Sequence, residues 1–378
     1  MTEKQNKAWK LDYNIIMTVV FLVILGTILH CSSGKGYTDF FKQLIFIAIG
    51  FVLIYFILLI AYKCLKLPPL FWYILSAAVL MLLFIPGLRY SSHGATRWLQ
   101  IFGITIQVAE IVKCFMIIYL ADILSEHVFA LNTVRGVFTV WVYVGIIAAM
   151  ILGISSNLSS CLILLMITFC ITFLAGNTKK FHLIVLASAA VLVVILCIIL
   201  KLNLPDQSKL ESIKDSFYQL ARVIVWLEPE KYDDGYQLLQ GVYAIGSGGL
   251  FGCGLGKSVQ RTMLPEASND MIFCILAEEL GFFGVVVLLF LYGYLLYQIF
   301  LVESNARSRF GRLLCVGILF HLAFQVIVNI AVATMLIPNT GVSLPFISYG
   351  GSALIMYFIQ IGIVLNVYRY DILKKQKK

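Results

Sequence analysis

The chain reads as an all-α, polytopic integral membrane protein with about ten transmembrane helices and one long extracytoplasmic loop containing amphipathic helices. Three observations predict this. Hydrophobic residues make up 61% of the chain and charged residues 12%, with mean hydropathy +0.95, whereas soluble domains lie near half apolar and a quarter charged. Apolar runs recur at lengths that cross roughly 30 Å of hydrocarbon. Basic residues gather on alternate connections, which is the positive-inside signature.

Ten spans are predicted, near residues 14–32, 42–62, 69–88, 107–125, 137–153, 158–175, 181–201, 271–300, 311–336 and 351–370. With both termini cytoplasmic, the inner segments hold Lys4, Lys7, Lys10, Lys63, Lys66, Arg135, Lys179, Lys180, Arg307, Arg309, Arg312, Arg369 and the lysines at 374–378. Lys35, Lys42, Arg89 and Arg97 fall on the outer side or its border. The net charge of +9 is therefore a topology device and does not imply a nucleic-acid partner. Of the nine cysteines, only Cys31 and Cys253 are expected to face outside, so no disulfide framework is expected. The first span lacks a small-residue cleavage site and reads as an uncleaved anchor. Residues 1–378 form one membrane domain without an evident internal repeat, and 201–269 is its large extracytoplasmic loop.

Within that loop Leu210, Ile213, Phe217, Leu220, Ile224 and Leu227 recur every three or four residues, with Lys209, Glu211, Lys214, Asp215 and Arg222 mostly opposite. This predicts an amphipathic helix, lying in the outer interface or packed on the protein's own outer parts. A glycine-dense stretch follows at 246–256. Its Gly256-Lys257-Ser258 ending is like a phosphate loop, but Phe251 stands where that motif needs glycine, and no strand precedes it. The stretch suits a loop folded over a membrane-surface cavity.

Several polar groups stand out against the apolar background. Glu110 and Lys113 are three residues apart inside the fourth span and share a helix face. They are either an ion pair gluing helices together or the polar floor of an outward-opening cavity. Arg97, beside Trp98, is either an interfacial anchor or a bidentate phosphate ligand. Asp270 falls where the chain passes from water into lipid, as a helix N-cap or as a general base. Glu278 and Glu279 lie two turns deeper, and at least one must face protein or water. Pro338, Gly341, Ser343, Pro345, Ser348, Gly350 and Gly351 mark a non-helical turn before the last span. Such backbone is tolerated at membrane depth only where it is buried in protein or lines a cavity.

These residues fall in an ordered set of motifs. They are Gly-Ala-Thr-Arg-Trp at 94–98, Gln107 to Lys113, Gly-Tyr-Gln at 235–237 and Ala-Ile-Gly-Ser-Gly-Gly-Leu-Phe-Gly at 244–252. Leu-Pro-Glu at 264–266, Asn-Asp-Met-Ile-Phe at 269–273, Ala-Glu-Glu-Leu-Gly-Phe-Phe-Gly at 277–284 and Leu-Pro-Phe-Ile-Ser-Tyr-Gly-Gly-Ser at 344–352 complete it. In sequence and order the set resembles the SEDS family (shape, elongation, division and sporulation), which includes FtsW, RodA and SpoVE. The Gly254 to Ser258 run is more similar to the FtsW/SpoVE branch than to RodA. One departure stands out: the family usually has Pro-Asp-Leu-Gly-Thr where this chain has Ser156-Asn157-Leu158-Ser159-Ser160.

The resemblance implies a multi-pass protein of the bacterial cytoplasmic membrane with an extracytoplasmic active site. Its implied activity is polymerisation of peptidoglycan glycan strands, as an inverting glycosyltransferase using lipid II, in cell division or cell-wall synthesis. Lipid II is an undecaprenyl-pyrophosphate-linked disaccharide peptide. The implied partner is a class B penicillin-binding protein transpeptidase. Asp270 corresponds to the family's catalytic carboxylate, and Arg97, Glu110 and Lys113 to its other charged positions. Ser343, Pro345 and Ser348 are further cavity candidates. Arg97, Lys113 or a bound divalent cation (Mg or Mn) are the alternatives for stabilising the leaving pyrophosphate. A lipid II flippase is the rival reading, and Glu110 with Lys113 suits it best; a non-catalytic scaffold is a third.

Overall fold

The computed structural model describes residues 12–32, 37–92, 95–101, 104–127, 131–264 and 267–372. The lysines at 4, 7, 10, 35 and 374–378, Gly94, and Pro265 with Glu266 lie outside the described residues.

Ten helices occupy the predicted spans among the described residues. They are α1 (Tyr13–Ser32), α2 (Tyr37–Leu59), α3 (Pro69–Met81), α4 (Val108–Glu126), α5 (Val134–Ser155), α6 (Leu158–Ala175) and α7 (Lys179–Leu202). After three shorter helices, α8 (Gln207–Ser216), α9 (Tyr218–Leu227) and α10 (Tyr236–Ser247), come α11 (Ile272–Asn305), α12 (Arg309–Ala333) and α13 (Gly351–Val367). Eight are long and apolar enough to cross a bilayer. The others are α3, with 13 residues, and α4, which carries Glu110, Lys113, Asp122 and Glu126.

Local chemistry sets many of the boundaries. Pro69 opens α3 at a position where its missing N–H costs nothing. Thr133, Asn157 and Ser308 each accept a backbone N–H with a side-chain oxygen and so cap α5, α6 and α12. Asn157 is thus the buried N-cap of α6, bonded to Ser160 N at 3.0 Å. An amide fills the place of the family's usual carboxylate.

Helices α4, α12 and α13 form the interior, with α2 against α13, α3 against α4, and α11 against α12. Helix α7 stands apart: His182 is its one buried residue among those described. Beyond that it packs on α9 and α6.

The two ends of the bundle differ. At one end Asp371 accepts the N–H groups of Arg307 and Ser308 at 3.1 and 2.9 Å and the Tyr62 hydroxyl at 2.8 Å. Arg369 donates to the Leu58 carbonyl, and Lys66 pairs with Glu126. At the other end lie α8–α10, the turn between α12 and α13, and an unpredicted antiparallel sheet. Its strands β1 (Arg89–Ser92), β2 (Ala95–Ile101) and β3 (Ile104–Gln107) run in the order β1-β2-β3. Arg97 lies on β2. The run from Trp98 to Gln107 holds Trp98, Ile101, Ile104, Thr105 and Ile106, aromatic and β-branched residues that suit a strand pair.

The expected single amphipathic helix is broken at Phe217 (φ −138°, ψ 67°) into α8 and α9. The break re-phases the apolar face. Phe217 is exposed, while Ala221, Ile224 and Val225 join Leu210 and Tyr232 in a small core against Leu200 and Leu204. Of the two placements left open by the sequence, packing on the protein itself is the one observed.

The glycine stretch also behaves differently from the cavity cover expected of it. Helix α11 is interrupted at Gly281 (φ 64°, ψ −165°). The glycine loop docks on the interruption and satisfies the backbone groups it frees. Cys253 N and Gly254 N donate to the carbonyls of Glu278 and Glu279, and Phe282 N and Phe283 N donate to Gly249 and Leu250. The Glu278 carboxylate accepts Ser258 Oγ and Val259 N, and that of Glu279 accepts Ser32 Oγ and Gly256 N. Both acids therefore face protein. A Cβ at Gly252 (φ 77°) would stand 2.2 Å from the Glu279 carbonyl oxygen, so only glycine permits this approach.

Gly252→Ala is expected to destabilise the protein by about 2–4 kcal/mol, as a large backbone clash does. Gly246→Ala, inside α10 where a Cβ meets nothing within 4 Å, should be neutral or stabilise by up to about 1 kcal/mol. Thermal unfolding of both variants in detergent checks the contrast.

Candidate functional site

The local fold explains where Asp270 sits. Helix α11 begins at Ile272, and Asp270 belongs to the turn before it. That turn is pinned from two sides. Asn329, buried in α12, donates Nδ2 to both the Asp270 carbonyl (2.8 Å) and the Val342 carbonyl (2.7 Å). Ser348 donates to the Asn269 carbonyl and accepts from Leu344 N, both at 2.7 Å, while Tyr349 N donates to the Ser268 carbonyl. The partly exposed Asp270 carboxylate then faces Gly341 (φ 69°), where an added Cβ would lie 3.2 Å from Oδ2. Glycine lets the chain pass that close to the carboxylate.

Cationic and aromatic groups complete the surroundings. Arg222 on α9 donates to the Tyr218 hydroxyl (2.6 Å) and the Asn339 carbonyl (3.0 Å), with its guanidinium 4.6 Å from the Tyr218 ring centre. Arg97 reaches the same ring at 5.9 Å and donates Nη2 to the Ser156 carbonyl at 3.1 Å. Ser156 adopts φ 47° and also accepts from Gln219. Burial, followed by the like charge of Arg222, lowers the Arg97 pKa, while Tyr218 and Asp270 act in the opposite direction. A cavity of about 100 Å³ opens beside Tyr218, Arg222, Gln237 and Asn339, with Lys214 and Asp234 paired at its edge at 2.5 Å.

The remaining predicted site residues have structural partners. Glu110 (3% exposed) and Lys113 (0%) are not a cavity floor but an enclosed ion pair at 2.7 Å. Gln325 donates to both Glu110 oxygens at 3.3 and 3.4 Å, and His321 lies 3.7 Å away. His321 in turn meets Gln360 at 2.9 Å. Two ionised groups at this depth are tolerable because each is paired and hydrogen-bonded. Pro345 is buried and its carbonyl accepts the Tyr292 hydroxyl at 2.5 Å; Ser348 is consumed by the turn. Both shape the non-helical segment instead of lining an opening. Ser343 is half-buried, with Oγ 3.2 Å from the Tyr357 hydroxyl.

Sequence reasoning did not single out Asn329, Tyr218 or Arg222. Arg222 was read as part of the polar face of one long helix. Its four-residue spacing from Tyr218 was the available signal. Asn329, an amide inside a span, carried the same kind of signal as Glu110. No group of three or more His, Cys, Asp or Glu suited to holding a metal occurs among the described residues.

Lys113→Met leaves Glu110 buried without its cation and is expected to cost about 3–5 kcal/mol. Combining it with Glu110→Gln removes both charges and should recover most of that loss. Thermal melts of the two variants decide it: equal losses would mean that burial of the unpaired charge is not the cause.

Comparison with known proteins follows the same outline. A family model described as "Cell cycle protein", covering FtsW, RodA and SpoVE, matches residues 7–372. The chain is 31% identical to a "Probable peptidoglycan glycosyltransferase FtsW" of Coxiella burnetii, covering 97% of this chain and 98% of that one. It is 32% identical to "Stage V sporulation protein E" of Bacillus subtilis, over 95% and 97%. Among solved structures, a chain from "Structural coordination of polymerization and crosslinking by a peptidoglycan synthase complex" superposes with TM-score 0.78 at 27% identity, over 96% and 99% of the two chains. The rod shape determining protein RodA of Thermus thermophilus superposes with TM-score 0.67 at 25% identity, over the same shares. Sequence match and superposition thus run from end to end, and this chain belongs to the FtsW/RodA/SpoVE family of cell cycle proteins.

Proposed function

We propose that the chain polymerises peptidoglycan glycan strands from lipid II, at a site built around Asp270. The observation that carries this reading is the carboxylate itself. It is anchored by Asn329 and the 341–348 turn, partly open, and set beside two arginines at one end of a membrane bundle. A lipid-linked sugar presents its head group at that level while its prenyl tail stays in the hydrocarbon. Fixing both reactants in this way lowers the entropic part of the barrier.

In the proposed reaction Asp270 accepts the proton of the acceptor's C4 hydroxyl as that oxygen attacks the donor's anomeric carbon. A glycosidic C–O bond forms with inversion. The bond from the anomeric carbon to the pyrophosphate oxygen breaks, and undecaprenyl pyrophosphate leaves with the electron pair. Arg97 stabilises the negative charge that grows on the leaving group. Lys113 is enclosed by its own ion pair and has no part in this step.

Among the described residues, a divalent cation would find Asp270 with guanidiniums as its charged neighbours, and no group of three or more His, Cys, Asp or Glu to hold it. No step is routed through a cation. The flippase reading drew on Glu110 and Lys113 as a polar pathway; their enclosure removes its main support. For orientation, Lys63, Lys66, Arg307, Arg309, Arg312 and Arg369 lie at the end opposite Asp270, which by the positive-inside rule supports cytoplasmic termini and an outer site. The superposition with a chain of a peptidoglycan synthase complex supports a class B penicillin-binding protein as partner.

Asp270→Asn is the direct test, in purified protein with its transpeptidase partner and labelled lipid II. The variant should melt as the wild type does and lose glycan polymerisation by about 10²- to 10⁴-fold, the usual contribution of a general base. Wild-type polymer from a folded Asn variant would exclude the proposed role. The same gel with chelator added reports whether a cation is required.

A further inference from the structure

Two guanidiniums share one aromatic ring in this site, an arrangement with an electrostatic cost. Arg97 and Arg222 approach the Tyr218 ring at 5.9 and 4.6 Å, and like charges so placed repel. Among the described residues, the other charges nearby do not cancel them. Asp270 is one carboxylate against two arginines, and Asp234 is matched by Lys214 at 2.5 Å. Nor are the donors used up. Arg97 Nε is buried without a hydrogen-bond partner. Arg222 spends Nη1 on the Asn339 carbonyl and Nη2 on Tyr218, both neutral acceptors.

A built structure holds this repulsion in place. Tyr218 and Arg222 are one turn apart on α9, so the ring and the guanidinium are registered by the helix. Asn339 is fixed by donating to Gln237 Oε1 at 2.9 Å. Trp226, one turn further along, ties α9 to the Met335 carbonyl at 2.8 Å. Arg97 comes from β2, on a different part of the chain. Two cations held together by separate elements, with a cavity of about 100 Å³ beside one of them, suit an anion with two phosphate groups. Guanidiniums bind such oxygens in bidentate fashion.

We propose that Arg222, which shares the Tyr218 ring with Arg97, is a diphosphate-binding residue, and that the pair selects a polyprenyl diphosphate over a monophosphate. This rests on the glycan-polymerase reading and names a determinant that reading did not include. One arginine meets each phosphate group, and bound diphosphate removes their repulsion. A monophosphate satisfies one cation and leaves the other uncompensated.

The test is binding, independent of turnover. Farnesyl diphosphate and farnesyl monophosphate serve as soluble probes, titrated against the full chain in nanodiscs of neutral lipid, with calorimetry as the readout. Wild type should bind the diphosphate about 10- to 100-fold more tightly, the value of one or two added charge-assisted hydrogen bonds. Arg222→Gln should abolish the difference while monophosphate binding changes by less than about threefold. Arg222→Lys keeps the charge and the reach to Asn339, so it should fold normally and retain part of the preference. Equal binding of the two probes by wild type, or an unchanged preference in a folded Arg222→Gln protein, overturns the proposal. Failure of the parent reading looks different: wild type would make no glycan from lipid II, yet the diphosphate preference and its loss in Arg222→Gln would stand.

Discussion

Hydrocarbon does not hydrogen-bond, so backbone leaving a helix at membrane depth must find its partners inside the protein. Two breaks in this fold meet that demand, and the turn bearing Asp270 is bonded to one of them. At Gly281 the glycine loop supplies and accepts the four backbone hydrogen bonds that the interrupted helix lacks. Between α12 and α13 the segment 335–350 is satisfied by a mixture of partners. Ile347 and Ser348 donate back to Leu344, Tyr292 donates to Pro345, and His30 lies 2.9 Å from the Ile347 carbonyl. Gly26 of α1 admits this backbone closely, since a Cβ there would lie 2.9 Å from Ile347 Cα. The α1 helix thus braces the non-helical segment, and that segment braces the turn bearing Asp270.

Much of this was legible in the sequence. The ten spans emerged from apolar runs of the right length, because burying backbone in lipid imposes a coarse and unambiguous pattern. The turn at 338–351 was legible because paired prolines and glycines rarely serve any other purpose there. Asp270 was legible as a carboxylate at a boundary. Residue types alone did not reveal what each polar group faces. Glu110 and Lys113 at i and i+3 fit an open floor and a closed pair equally well. Gln325, His321 and Gln360, from other helices, decide for closure. The glycine loop presented a similar ambiguity: glycines announce a close approach of backbone but not its target, which is the α11 break.

The missed residues share a cause. Arg222 and Tyr218 became visible once the predicted long helix was broken at Phe217, since the break turns α9 and brings them toward Asn339. Periodicity reported the apolar face of each half correctly but could not report the change of phase between them. The Asn157 departure was legible as a difference and opaque in consequence. Structurally it is modest. The amide caps α6 as the acid could, and neighbouring Ser159 donates to the Thr340 carbonyl at 2.6 Å, so the loop still touches the segment that passes Asp270.

The enclosed ion pair and the proposed site are separate in chemistry but joined by one short stretch of chain. Gly341 lies against the Asp270 carboxylate, and two residues later Ser343 meets Tyr357. The Tyr357 ring is 6.0 Å from that of His321, which touches the Glu110 network. Asn329 holds the same stretch from the side through Val342. A closely packed interior transmits displacement instead of absorbing it, and these contacts connect the buried charges to the 341–343 backbone beside the Asp270 carboxylate. Glu110 and Lys113 thus stand, as a closed pair, at the far end of a run of contacts that reaches the turn bearing the proposed base, Asp270.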